Sequence, residues 1–141
     1  MKILLFGSNA LASALTDASL SVQIIHIQPK SRLFQETPGE ITDDERANVQ
    51  KKISQQQPDI MILDYELDKS TTFDPVALCQ RLDFTNNPPR VVLYGQQTPK
   101  QIQDMNMPNG IRWIYVFTNG NLQEEAQLIV APSSWRTDHL L

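Results

Sequence analysis

The sequence holds one cysteine, Cys79, in 141 residues. A lone thiol excludes an internal disulfide framework and any zinc site built on paired cysteines. Cys79 is then expected as a small buried residue on a helix. Glycine is also scarce, at five residues. The first apolar run is followed by Gly7-Ser8-Asn9-Ala10-Leu11-Ala12, with a single glycine. Neither the dinucleotide fingerprint nor the P-loop spacing is met, since both need several glycines to bring backbone close to phosphate. Basic runs go no further than Lys51-Lys52, and the formal charge is −4. That balance argues against a surface that tracks nucleic-acid phosphates. The apolar stretch at the start, residues 3–6, is too short for a signal peptide or a transmembrane helix. A cytoplasmic protein without direct membrane insertion is expected. Internal repeats and interior linkers are lacking.

What is present is an ordinary globular composition, 40% apolar and 20% charged, over the length of one domain. Apolar and β-branched runs predict strands at residues 3–6, 22–27, 60–64, 91–94 and 111–117. Helices are predicted between them from their start signals. Ser8 or Asn9 caps a segment carrying Leu11, Ala12, Ala14 and Leu15. Thr42 and Glu45 form a capping box, with Asp43 and Asp44 favoured by the helix dipole, for a helix to about Gln56. Asp74-Pro75 opens a third helix with Val76, Leu78, Cys79 and Leu82 facing inward. Thr98-Pro99 opens a short one through Ile102 and Met105, which Pro108 ends. The last, residues 122–130, has helical spacing at Leu122, Ala126, Ile129 and Val130. Five strands alternating with five helices imply an open, parallel, three-layer α/β sheet. The expected strand order is the flavodoxin-like 2-1-3-4-5. Residues 1–130 form the domain, and residues 131–141, with Trp135, a C-terminal tail.

The third strand, Ile60-Met61-Ile62-Leu63-Asp64, is apolar until its last residue. A continuous apolar run fits a strand covered on both faces. Ligands in such sheets sit outside the carboxyl ends of the strands, where Asp64 stands. Metal-assisted phosphoryl chemistry at Asp64 would need further hard oxygen ligands. The neighbouring first strand ends on Ser8 and Asn9 rather than carboxylates, Asp59 lies at the opposite end of its own strand, and Glu66 and Asp68 belong to a polar loop. His26 has no Cys, Ser or Asp spaced to act with it and is expected to be structural or exposed.

The segment from Pro58 to Leu67, followed by Leu78-Cys79-Gln80-Arg81-Leu82, resembles the receiver domain of bacterial two-component response regulators. In that family the third strand ends on the phosphoaccepting aspartate, so the resemblance puts Asp64 in that position. It extends over nearly the whole chain up to about Val130. The resemblance also implies an acidic pair after the first strand, where Ser8 and Asn9 stand. It implies a Thr or Ser at the end of the fourth strand, where Gly95 stands, and a Lys-Pro after the fifth, where Asn119 and Gly120 stand. With Asp64 alone, the metal that would offset phosphoryl charge lacks its acidic ligands and the Lys cation has no counterpart. The chain thus resembles an atypical or pseudo-receiver, of the kind found in pilus-localisation proteins of the CpaE/TadZ type or in cyanobacterial signalling proteins. The resemblance implies a vestigial phosphoacceptor position at Asp64 and a degenerate pocket of Ser8, Asn9, Glu66, Gly95 and Asn119, with no metal, cofactor or catalytic residue. It implies action by contact with a protein partner or a second copy, through the face of the fourth helix, fifth strand and fifth helix. Ile102, Met105, Arg112, Trp113 and Tyr115 are the expected contact residues, since aromatics, Met and Arg concentrate at interface cores. Two other readings stay open: a phosphoacceptor modified on Asp64, and a small-ligand site at the carboxyl ends of the strands.

Overall fold

The computed structural model describes residues 1–7, 9–27, 43–64, 75–83, 88–96, 99–104, 106–108 and 110–131. Strands and helices alternate as β1 (Lys2–Phe6), α1 (Asn9–Ala18), β2 (Gln23–Ile27), α2 (Asp43–Gln56), β3 (Ile60–Asp64), α3 (Pro75–Arg81), β4 (Arg90–Gly95), α4 (Pro99–Gln103), β5 (Trp113–Phe117) and α5 (Leu122–Ile129). The five strands form one sheet in the order β2-β1-β3-β4-β5, and every pairing is parallel. This is the flavodoxin-like arrangement expected from the sequence.

Period-two alternation in the strands divides the core into two halves. Ile3, Leu5, Ile60, Ile62, Val92, Tyr94, Ile114 and Val116 meet Leu11 and Leu15 of α1 and Ala126 and Ile129 of α5. Leu4, Phe6, Met61, Leu63, Val91, Leu93 and Tyr115 meet Val49 and Ile53 of α2, Leu78 and Cys79 of α3 and Leu82 just after it. All five residues of β3 are buried, because helices cover both of its faces. Cys79 is a free, buried thiol within the second cluster. The edge strand β2 is only half-buried over Ile24 to Ile27, as its outer position allows.

The helix ends show how local chemistry fixes the packing. Asn121 caps α5 through its side-chain oxygen, which accepts from the Glu124 N–H at 3.3 Å. Gln50 on α2 clamps the end of α3: its Oε1 accepts the Asp83 N–H at 2.7 Å and its Nε2 donates to the Asp83 carbonyl at 3.1 Å. Gln57 ends α2 in the left-handed region, at φ 47°, and its N–H donates to the Ile53 carbonyl at 3.0 Å. Gly120 occupies the same region at φ 91° in the turn before α5. The expected caps Thr42, Asp74 and Thr98 lie outside the described residues, as does the tail beyond Ala131 with Trp135. Among the described residues, no helix is long and apolar enough to cross a membrane.

Candidate functional site

At the carboxyl ends of the strands, on the α1/α5 side of the sheet, four polar residues sit inside the protein. Asp64 is 2% exposed, Tyr94 3%, Thr118 8% and Glu125 7%. Register explains their meeting. Asp64 is the ladder partner of Tyr94, and Tyr94 pairs with Val116, two residues before Thr118. Asp64 and Tyr94 both follow the alternation that puts Ile62 and Val92 against α1 and α5. Glu125 belongs to the buried stripe of α5 with Ala126 and Ile129, so the helix aims its carboxylate at the strand ends.

Glu125 is the hub. Its Oε2 accepts the Tyr94 hydroxyl in a very short hydrogen bond and the Thr118 hydroxyl at 3.1 Å. Its Oε1 accepts the Asn119 N–H at 2.9 Å. The Tyr94 hydroxyl also lies 2.7 Å from Thr118 Oγ1, which accepts the Gly120 N–H at 3.3 Å. Gln96 closes the outer side by donating from Nε2 to the Thr118 carbonyl at 3.2 Å. Burying a carboxylate costs several kcal/mol unless donors surround it; here three donors do. The same surroundings act on Tyr94. Burial pushes its phenol well above the usual tyrosine range, the hydrogen bond to Glu125 adds to this, the Thr118 contact opposes it, and the charges of Glu125 and Asp64 raise it further. Tyr94 is therefore a neutral hydrogen-bond donor at any physiological pH.

Gly7, which follows β1, lies beside Asp64. A Cβ at Gly7 would lie 2.9 Å from Leu5 Cδ1, 3.0 Å from Asp64 Cβ and 3.3 Å from Asp64 Oδ2. The side chains of Leu5 and Asp64 therefore fill the space that a side chain at position 7 would take. The Gly7 carbonyl faces His26, whose Nε2 lies 2.6 Å away. Since a carbonyl only accepts, that ring nitrogen carries the proton. His26 thus ties β2 to the end of β1, a structural role.

The residues expected from sequence fall into three groups. Asp64 and Gly95 are buried at the strand ends, and Asn119 contributes through its backbone N–H to Glu125 rather than through its side chain. Asn9 is exposed at the first position of α1, while Ser8 and Glu66 lie outside the described residues. Of the expected contact residues, Tyr115 is buried in the α2/α3 half of the core and Trp113 packs half-buried against it, because both point to the same face as Val91 and Leu93. Arg112 is exposed just before β5, Met105 lies outside the described residues, and of Ile102 only the helical position in α4 is described. Two features were missed. The Tyr94–Thr118–Glu125 cluster had a signal in the sequence, an acid on the apolar stripe of α5 at 122, 125, 126 and 129. Phe117, third in the Trp113-Tyr115-Phe117 alternation, is 59% exposed.

Among the described residues, no group of three or more His, Cys, Asp or Glu is placed to hold a metal ion. A cation at Asp64 would need other oxygen ligands close by. Gly7 offers none from its side chain, and both oxygens of Glu125 already accept protein donors.

No family model matches the chain, and no curated protein matches it. Among solved structures, the chain is similar to a signal receiver domain from Vibrio parahaemolyticus. The two are 14% identical, the likeness covers 96% of this chain and 98% of that one, and the TM-score is 0.49.

Proposed function

We propose that this chain is a non-catalytic, receiver-like signalling module that works by binding another protein, independently of phosphorylation. The observation that carries the reading is the saturation of Glu125. The carboxylate beside the Asp64 strand end is held by the Tyr94 and Thr118 hydroxyls and the Asn119 N–H. Phosphoryl transfer to an aspartate depends on a metal and a cation that gather the charge of the transferred group. Here the third, fourth and fifth strand ends carry Asp64, Tyr94 and Thr118, and α5 adds a second carboxylate instead of a cation. The cluster joins β4, β5 and α5 through side chains and leaves the surface as the working part. Phe117 is the exposed aromatic on the outer strand of the sheet and replaces the buried Tyr115 as the first residue to test for contact.

The test is incubation with acetyl phosphate or beryllofluoride and magnesium, followed by intact-mass and NMR analysis. The expected result is no adduct and no shift of the Asp64 or Thr118 amides. A stable adduct lost in Asp64→Asn would overturn the reading and favour a phosphoacceptor. Contact is tested by light scattering of the purified protein, alone and with Phe117→Ser. Self-association that the variant abolishes would assign the face to a second copy.

A further inference from the structure

We propose a binding site for a compact polyanion, such as a pyrophosphate group or a tricarboxylate, at the opposite end of the sheet. A groove of about 560 Å³ opens at the amino ends of β3, β4 and β5, lined by Gln57, Pro58, Asp59, Pro88, Arg90 and Arg112. Arg90 begins β4, and Arg112 immediately precedes β5. Val91 pairs with Trp113, and the Val91 N–H donates to the Arg112 carbonyl at 2.9 Å. The backbones at Arg90 and Arg112 are therefore lateral neighbours, about 4.8 Å apart as strand spacing dictates, and both side chains line the same groove.

Like charges at such positions destabilise a sheet. Neither guanidinium is ion-paired with a carboxylate among the described residues. Asp59, the acid among the described lining residues, uses Oδ2 to accept the Lys2 N–H at 2.9 Å. A ligand with two adjacent oxyanion groups relieves that repulsion and matches the forked, two-donor geometry of each guanidinium. The strand spacing favours adjacent anionic groups over an acidic peptide, whose same-side residues recur about 7 Å apart. Among the described residues the lining is mostly polar and holds no aromatic side chain, which fits a charged ligand better than a hydrophobic one.

Titration of the full chain with pyrophosphate and with citrate, followed by NMR amide shifts and calorimetry, tests the site. Saturable shifts centred on Gln57, Asp59, Arg90 and Arg112 are expected, weakening as salt is raised. Arg90→Gln and Arg112→Gln should each weaken binding about tenfold. Asp59→Asn, which keeps an acceptor for the Lys2 N–H and removes a negative charge, should strengthen it severalfold. Circular dichroism confirms that each variant is folded. Absence of saturable shifts with both probes, or affinities unmoved by the two arginine variants, would overturn the proposal. So would tighter binding to an acidic peptide than to either probe. The proposal stands apart from the pseudo-receiver reading, whose test concerns Asp64 at the other end of the sheet.

Discussion

Replacing Tyr94 by Phe removes one oxygen from the cluster at the carboxyl ends and leaves the ring in place. The lost group donates to Glu125 Oε2 and touches Thr118 Oγ1 at 2.7 Å. A hydrogen bond to a charged acceptor contributes about 1.5–3 kcal/mol. Glu125 keeps the Thr118 and Asn119 donors, so the lower part of that range is expected, about 2 kcal/mol. For a domain of this size that corresponds to a fall in Tm of about 7 °C. The measurement is urea unfolding followed by fluorescence, with an unchanged m-value to show that the midpoint alone has moved. The pairing itself is isolated by a double-mutant cycle with Glu125→Gln, for which a coupling of about 1 kcal/mol or more is expected.

The pH dependence gives an independent check with a fixed sign. Tyr94 is held above its ordinary value of about 10 in the folded protein. Above pH 10 the unfolded chain therefore releases this proton while the folded chain keeps it. The contribution is fully present below pH 10 and is lost as pH rises toward the folded value. By pH 11 the wild type should have lost about 1.4 kcal/mol relative to neutral pH that Tyr94→Phe does not lose, the other tyrosines cancelling in the difference. A destabilisation below about 0.5 kcal/mol at neutral pH, or parallel stability curves between pH 9 and 11, would refute the hub assigned to Glu125.

Three further substitutions probe the frame around the site. Gly7→Ala places a methyl 2.9 Å from Leu5 Cδ1 and 3.0 Å from Asp64 Cβ, and overpacking of this kind should cost about 1–3 kcal/mol in denaturant unfolding. Gln57→Gly relieves a left-handed residue at φ 47° and should raise stability by about 0.5–1 kcal/mol, visible as a higher melting temperature. Phe117→Ser removes a side chain 59% exposed and should change stability by less than about 0.5 kcal/mol; a larger loss would place Phe117 in the core rather than on a contact surface.

The architecture was legible because each element announces itself twice, by periodicity and by its end. The five residues of β3 read as doubly covered, and they are; Pro75 opens α3 as the Asp-Pro pair predicted. The fifth strand was harder. Its aromatic run suggested a surface, but alternation sends Trp113 and Tyr115 to the face that α2 and α3 already cover, and only Phe117 passes beyond that cover. The polar cluster was hidden for a different reason. Tyr94 and Glu125 are 31 residues apart, and their contact needs both the β3-β4-β5 order and the phase of α5. An acid on an apolar stripe is visible in a sequence, but its partner is not until the strand order is known.

The two ends of the sheet carry opposite electrostatics, and this decides where a charged ligand can go. In open α/β sheets the carboxyl ends of the strands are the customary place for ligands. Here that end holds two buried carboxylates, Asp64 and Glu125, with the hydroxyls of Tyr94 and Thr118 already turned toward Glu125. An anion there would meet like charge and no available donor in that cluster. At the amino ends, Arg90 and Arg112 line one groove with Asp59, whose Oδ2 accepts the Lys2 N–H. An anion there gains two cations and offsets their mutual repulsion. Side-chain hydrogen bonds join β4, β5 and α5 at one end of the sheet, and the proposed anion site lies at the other.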